Sequence, residues 1–200
     1  MGRAEDKKNK ILQAASECFA RFGYEKTTMD DIGRLVGLNK ASIYYYYKNK
    51  ESIFMEVIFQ ERSKYIDALQ KNINPAGTAR EKIISYVVGR YRFIVEYSNL
   101  YNLSNESLNQ IQPFFLDIYK TVIDGEVEFV RKLIEEGIKD NQLQPCDSKR
   151  VSAGVITIGD ALKHREYAYA TDAKAKEHDR ERVEEEITYM CSLVLNGLAR

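Results

Sequence analysis

The sequence predicts an all-α protein of about nine helices, and three observations carry that reading. Apolar residues recur at intervals of three and four along most of the chain and almost nowhere alternate as a strand would. Only three prolines and eleven glycines occur in 200 residues, which suits helices joined by short connections. Apolar and aromatic side chains supply 44% of the chain, enough for a buried core and far from the composition of disorder.

The elements follow in order. Ile11, Ala14, Ala15, Cys18, Phe19 and Phe22 form one stripe on a first helix that Gly23 ends. Thr28 reads as the N-cap of a short second helix, with Asp30 and Asp31 where carboxylates suit the helix dipole. Ile32, Leu35 and Val36 are expected to face inward on it, and Gly37 ends it. Asn39 caps a third helix whose inward positions are Ile43 and Tyr47. A fourth, longer helix opens at Lys50 and carries Ile53, Phe54, Val57, Ile58, Tyr65, Ile66 and Leu69. Residues 72–78, with Pro75 and Gly77, make the clearest break.

A fifth helix follows through Ile83, Val87, Tyr91 and Ile94. The Asn- and Ser-rich stretch 98–112 suggests a short helix between loops, and a separate long helix is expected from Pro113 to about Lys139. After a loop over 140–147, Ser148 caps a helix reaching about Ala170, and 171–180 is a charged connection. The last helix spaces Val183, Ile187, Met190, Cys191, Val194, Leu195 and Leu198 in a wide apolar stripe.

Net charge is zero, but its distribution is uneven. Residues 1–50 hold ten basic and six acidic side chains, and the other 150 hold 20 basic and 24 acidic. A basic head on a mildly acidic body hints at a polyanion partner. Three widely spaced cysteines (Cys18, Cys146, Cys191) form neither a disulfide framework nor a zinc spacing. No stretch approaches the roughly 20 apolar residues of a membrane span. A cytoplasmic protein with no membrane partner is the expectation.

The segment Thr27–Ser52, TTMDDIGRLVGLNKASIYYYYKNKES, has the logic of a helix-turn-helix, in which two short helices meet at a tight glycine turn. Two core helices joined by a Gly turn would share the outline. Four consecutive tyrosines on so short a helix cannot all be buried, however, and Lys48 and Lys50 follow directly, where phosphates could be met.

This stretch resembles the N-terminal domain of the tetracycline-repressor (TetR) family. The likeness is carried by Phe19-Ala20-Arg21-Phe22-Gly23-Tyr24, Thr27-Thr28, Asp31-Ile32, Val36-Gly37-Leu38, Ser42-Ile43-Tyr44-Tyr45-Tyr46-Tyr47 and Lys50-Glu51. Two positions depart from it: Gly33 stands where Ala is common and Tyr47 where Phe is usual. The resemblance implies a DNA-binding domain over 1–50 and a helical effector-binding and dimerisation domain over 51–200. It implies that Thr28, Tyr44, Tyr46 and Lys50 contact or position phosphates, and that Asn39, Lys40, Ala41, Ser42 and Tyr45 face base edges. The expected DNA is a pseudo-palindromic double-stranded operator.

The same resemblance implies a homodimer made by the last two long helices, with Ile158, Leu162, Ile187, Cys191, Val194, Leu195 and Leu198 at its seam. It also implies a small-molecule effector, here apolar or aromatic because Tyr86, Tyr91, Tyr97, Tyr101, Phe114, Phe115 and Tyr119 crowd the middle helices, with His164 as a polar group. A plain aromatic core is the alternative for that cluster. No cofactor is expected. Enzyme readings fare poorly: the two histidines, His164 and His178, have no metal spacing, and there is neither a phosphate loop nor a nucleophile elbow. A repressor released by its ligand is the leading expectation, against a helical binding or adaptor protein without operator affinity.

Overall fold

The computed structural model describes residues 2–169 and 176–199, without the side chains at 3, 105, 108, 109, 112–121 and 163–179. Among these residues the chain forms eight helices and no strand. They are α1 (Arg3–Phe22), α2 (Met29–Leu35), α3 (Lys40–Tyr46), α4 (Lys50–Asn72), α5 (Ala79–Leu100), α6 (Asn105–Lys139), α7 (Ser148–Tyr169) and α8 (Lys176–Asn196).

The difference from the segment-by-segment reading lies at residues 98–112. That stretch makes no helix of its own: its start completes α5, and its end opens α6, which runs on through Pro113. Proline lacks the N–H for one helical bond, but its fixed φ is helical, so a long helix can carry one at that cost. Of the expected charged connection, residues 176–180 are helical, while Ala170 and residues 171–175 lie outside the described residues.

The backbone clusters into two compact units: residues 1–65 with 96–119, and residues 66–95 with 120–200. In the first unit, Ile11, Ala15, Phe19, Ile32, Ile43, Ile53 and Phe54 are fully buried in one core. Phe19 and Phe54 meet edge to face with ring centroids 5.1 Å apart, and Tyr101 closes on both. Two expected inward residues do not join this core. Phe22 is 48% exposed and Leu35 is 55% exposed, because each is the last residue of its helix and the chain turns away there.

Local chemistry sets the short helices. Thr28 and Asp31 form a reciprocal capping box at the start of α2. Gly23 and Gly37 take positive φ, 79° and 67°, where α1 and α2 end. Gly33 has a different reason. A Cβ there would lie 2.8 Å from the Leu38 carbonyl oxygen, so this position lets the turn close tightly on α2. The departure at Gly33 is thus a site of close backbone approach.

The second unit holds the last turns of α4, most of α5, the later part of α6, and α7 and α8. Val183, Ile187, Cys191 and Leu195, one every turn of α8, are at most 1% exposed. Inside this unit Arg90, 6% exposed, pairs with the buried Glu126 and, at 3.3 Å, with Asp160. Burial opposes the guanidinium charge, but Asp160 and Glu126 outweigh it and hold Arg90 firmly protonated. Arg92 makes a two-pronged pair with Glu184 at 2.9 and 2.6 Å. None of the described helices is long and apolar enough to cross a membrane.

Candidate nucleic-acid interface

The site is built around α3. The Asn39 carboxamide oxygen accepts the Ser42 N–H at 2.8 Å and starts the helix. The Tyr47 N–H donates to the Ile43 carbonyl at 3.0 Å at its end. Ile43 is fully buried and Tyr47 is 5% exposed, so one side of α3 is locked into the core of the first unit. Burial, with the Glu56 carboxylate nearby, pushes the Tyr47 phenol above its ordinary range. The Lys8 ammonium lies 5.7 Å over the Tyr47 ring.

With that side fixed, the opposite side is forced outward. Tyr45 is 83% exposed and Tyr44 45%; Asn39, Lys40 and Ala41 are also exposed, and Ser42 is half-buried. Tyr46 is half-buried against the core, its ring edge-on to Tyr45 at 5.1 Å. The tyrosine run therefore divides: two hydroxyls outward, one at the margin, one inside. Lys40 stands 3.7 Å from Asp30, a neighbour on α2 that sequence reasoning missed because only the folded turn brings the two together.

Thr27 and Thr28 also divide. Thr27 is buried, its hydroxyl donating to the Gly23 carbonyl at 2.8 Å, with the Cys18 carbonyl at 3.1 Å. Thr28 is exposed and caps α2. Its hydroxyl and backbone N–H hold the Asp31 carboxyl below the usual carboxylate range. Lys50 is less free than its place in the sequence suggests. Its ammonium donates to the carbonyls of Tyr24 at 2.8 Å and Glu25 at 3.3 Å, and sits 4.3 Å over the Tyr24 ring. Burial lowers its pKa, partly offset by Glu51 and Glu25. Two of its three N–H bonds are thus spent inside the chain.

The residues expected at an effector pocket are shared between the two units. Tyr86 and Tyr91 lie in the interior of the second unit, with the Tyr86 hydroxyl near the Gln70 amide at 3.4 Å and its ring 4.8 Å from that of Phe129. Tyr97 and Tyr101 belong to the first unit, where Tyr97 donates to Glu61 at 3.2 Å and Tyr101 fills the core against Phe19 and Phe54. Helical spacing identified an aromatic face but not which core each ring enters. Phe114, Phe115, Tyr119 and His164 lie outside the described side chains. A groove of about 720 Å³ opens in the second unit among Asp124, Val127, Glu128, Arg131, Cys146, Asp147, Ser148 and Lys149, which the aromatic pattern did not indicate.

The expected dimer seam is similarly divided. Ile187, Cys191 and Leu195 are fully buried in the single chain, so they serve its own interior. Ile158, Leu162, Val194 and Leu198 are half-buried. The large apolar side chains that α8 leaves exposed are Tyr189, Met190 and Leu193, at 61%, 37% and 51%. Burial also pushes the Cys191 thiol up to about 11, which makes it an inert core residue.

Two short capped helices with a glycine turn, the second locked on one side and polar on the other, define a helix-turn-helix transcriptional regulator. Comparison with known proteins gives the family. The family model for "Bacterial regulatory proteins, tetR family" matches residues 11–57. The chain is 32% identical over 127 residues to the HTH-type transcriptional regulator QacR of Staphylococcus aureus, covering 58% of this chain and 68% of that one. Over 65 residues it is 42% identical to IcaR of Staphylococcus epidermidis, named as an HTH-type negative transcriptional regulator of a biofilm operon, covering 32% of this chain and 35% of that one. A crystal structure of a transcriptional regulator from Cytophaga hutchinsonii superposes with a TM-score of 0.80 at 26% identity, over 97% of this chain and 99% of that one. The chain belongs to the TetR family of bacterial regulatory proteins.

Proposed function

We propose that this regulator is a homodimeric repressor whose affinity for a pseudo-palindromic operator is modulated by a small apolar or aromatic effector. The observation that carries the DNA reading is the orientation of α3. With Ile43 and Tyr47 buried, the helix presents Lys40, Ala41, Tyr44 and the 83% exposed Tyr45 to whatever lies outside. In this reading Asn39, Lys40, Ala41, Ser42 and Tyr45 face base edges, Lys40 toward a guanine acceptor edge. Thr28, Tyr44 and Tyr46 meet phosphates, and Lys50 contributes mainly by holding the Tyr24–Glu25 turn, with one N–H bond left for a phosphate.

Residues 1–50 act as the DNA-binding part and 51–200 as the effector and dimer part. Two copies place their α3 helices in successive major grooves about 34–36 Å apart. The mate covers Tyr189, Met190 and Leu193 together with Val194, Leu198, Ile158 and Leu162. The effector is received among aromatic groups that include Tyr86 and Tyr91, and it shifts the balance between two dimer forms only by its differential affinity for them. The relative named as a negative regulator supports repression as the logic.

The test starts from selection of duplexes bound by the full chain out of a random pool. The selected duplex is then titrated at several salt concentrations, with sedimentation of protein alone and bound. A two-fold repeated site, a log K that falls linearly with log salt, and two chains per duplex are expected. No enrichment at low salt would overturn the operator reading.

A further inference from the structure

We propose that Glu25 is a positioning residue that latches the corner between α5 and α6 onto the turn between α1 and α2, so that the seating of α6 sets the pose of the helix-turn-helix. The inference rests on the regulator reading.

The corner is short, running from Tyr101 to Ser104. The Tyr24 N–H donates to the Tyr101 carbonyl at 2.9 Å. Gly23 lies against Asn102, whose φ of 49° turns the chain, and a Cβ at Gly23 would already touch the Asn102 Cβ at 3.4 Å. Ser104 caps α6 by accepting the Ser107 N–H at 3.1 Å. Each serine then has one O–H proton left to donate, and both point to Glu25. Ser107 Oγ is 2.9 Å and Ser104 Oγ 2.5 Å from the same Oε1 of Glu25. The two hydroxyls hold the Glu25 carboxyl below its ordinary range. On its backbone side, Glu25 accepts from Lys50 at the start of α4. One residue on the turn before α2 is thereby tied to the first residues of both α4 and α6.

The chemistry of this tie makes it a switch element rather than more core. The Tyr101 ring packs on Phe19 and Phe54, an apolar contact that tolerates sliding, while its carbonyl and its hydroxyl, 3.3 Å from Ser16 Oγ, make hydrogen bonds, which fade beyond about 3.5 Å. A small shift at the start of α6 would break both serine bonds together. Helix α6 begins in the first unit and continues into the second, and it carries Phe114, Phe115 and Tyr119, so an event on its later turns has a covalent route to this corner. Coupling is reciprocal: DNA binding must then change the stability of the corner.

Hydrogen exchange of the full chain, with and without the selected duplex, reads the amides of residues 101–111. In the wild type the duplex should slow their exchange at least threefold. Glu25→Ala should remove that response and weaken duplex affinity several-fold, with the salt slope unchanged because no phosphate contact is lost. Glu25→Gln keeps an acceptor oxygen and should restore part of the response. Ser104→Asp keeps the N-cap but sets a carboxylate beside Glu25, and should behave like Glu25→Ala. A response that persists in both Glu25→Ala and Ser104→Asp overturns the latch, as does a slope change of one unit, which would make Glu25 part of the DNA face. If the wild type selects no duplex, the regulator reading itself fails. If it binds a duplex with exchange at 101–111 unaltered, only the latch fails.

Discussion

Helices α3 and α8 pose the same question, which side of a helix faces out, and the sequence answers it for one and not the other. In α3 the inward residues Ile43 and Tyr47 stand one turn apart between two polar stretches, and both are buried. In α8 the stripe is so wide that apolar residues lie on several sides. Its inner row proves to be Val183, Ile187, Cys191 and Leu195, while Tyr189, Met190 and Leu193 remain outside. The lesson concerns pattern width. A narrow apolar stripe names its own core, whereas a wide one needs to be told which neighbour takes which row.

The largest test of that contrast is a pair of charges on α8. Leu195→Glu buries a carboxylate in the chain's own interior and should cost several kcal/mol, seen as loss of cooperative unfolding. Leu193→Glu sits on the exposed row and should leave the fold intact while separating the dimer, seen by sedimentation. Equal and severe unfolding of both would show that the outer row is also core.

The matching pair on α3 comes next. Ile43→Ala empties a fully buried site and should lower stability by about 2–5 kcal/mol. Tyr45→Ala should barely change unfolding but should weaken binding of the selected duplex. A Tyr45→Ala protein with full affinity would remove that ring from the interface.

A smaller effect is expected at Lys40. If it reads a base edge, Lys40→Ala should relax preference at one position in each half-site by about 1–3 kcal/mol, measured by repeating the selection. A uniform loss across all sequences, with a lower salt slope, would make Lys40 a phosphate contact. Asp30→Asn frees Lys40 from its partner and should raise affinity while blunting that preference.

The smallest prediction concerns the cap of α2. Thr28→Ala should cost about 1 kcal/mol in chemical denaturation at neutral pH. Because the folded Asp31 pKa is depressed, its contribution is present above the unfolded value of about 3.9 and is lost as pH falls through the folded value. The variant should therefore lose less stability than the wild type between neutral and acid pH, as followed by denaturation at each pH.

Much of the candidate DNA interface was legible because its determinants are local. Thr28, Asn39, Gly23 and Gly37 act on backbone groups within a few residues, so caps and turns are written where they operate. The tyrosine run had too many rings for one small helix to bury, which forced some outward. What the linear chain did not contain were contacts between distant segments. The burial of Tyr101 beside Phe19, the tether from Lys50 to Tyr24, the Asp30–Lys40 pair and the Arg90–Glu126–Asp160 cluster all join residues that no periodicity relates. An arginine within the buried run Tyr86–Tyr91 was the one hint of the last of these.

The sequence alone thus determined the all-α class, the helix-turn-helix and its outward face, since short-range hydrogen bonding and 3.6-residue periodicity decide those. The tertiary structure decided which aromatic rings serve which core, which row of α8 stays exposed, and how Lys50 spends its charge. Those outcomes depend on which surfaces meet. Side chains of equal hydrophobicity compete for each interior position, and only the packed chain shows which one occupies it.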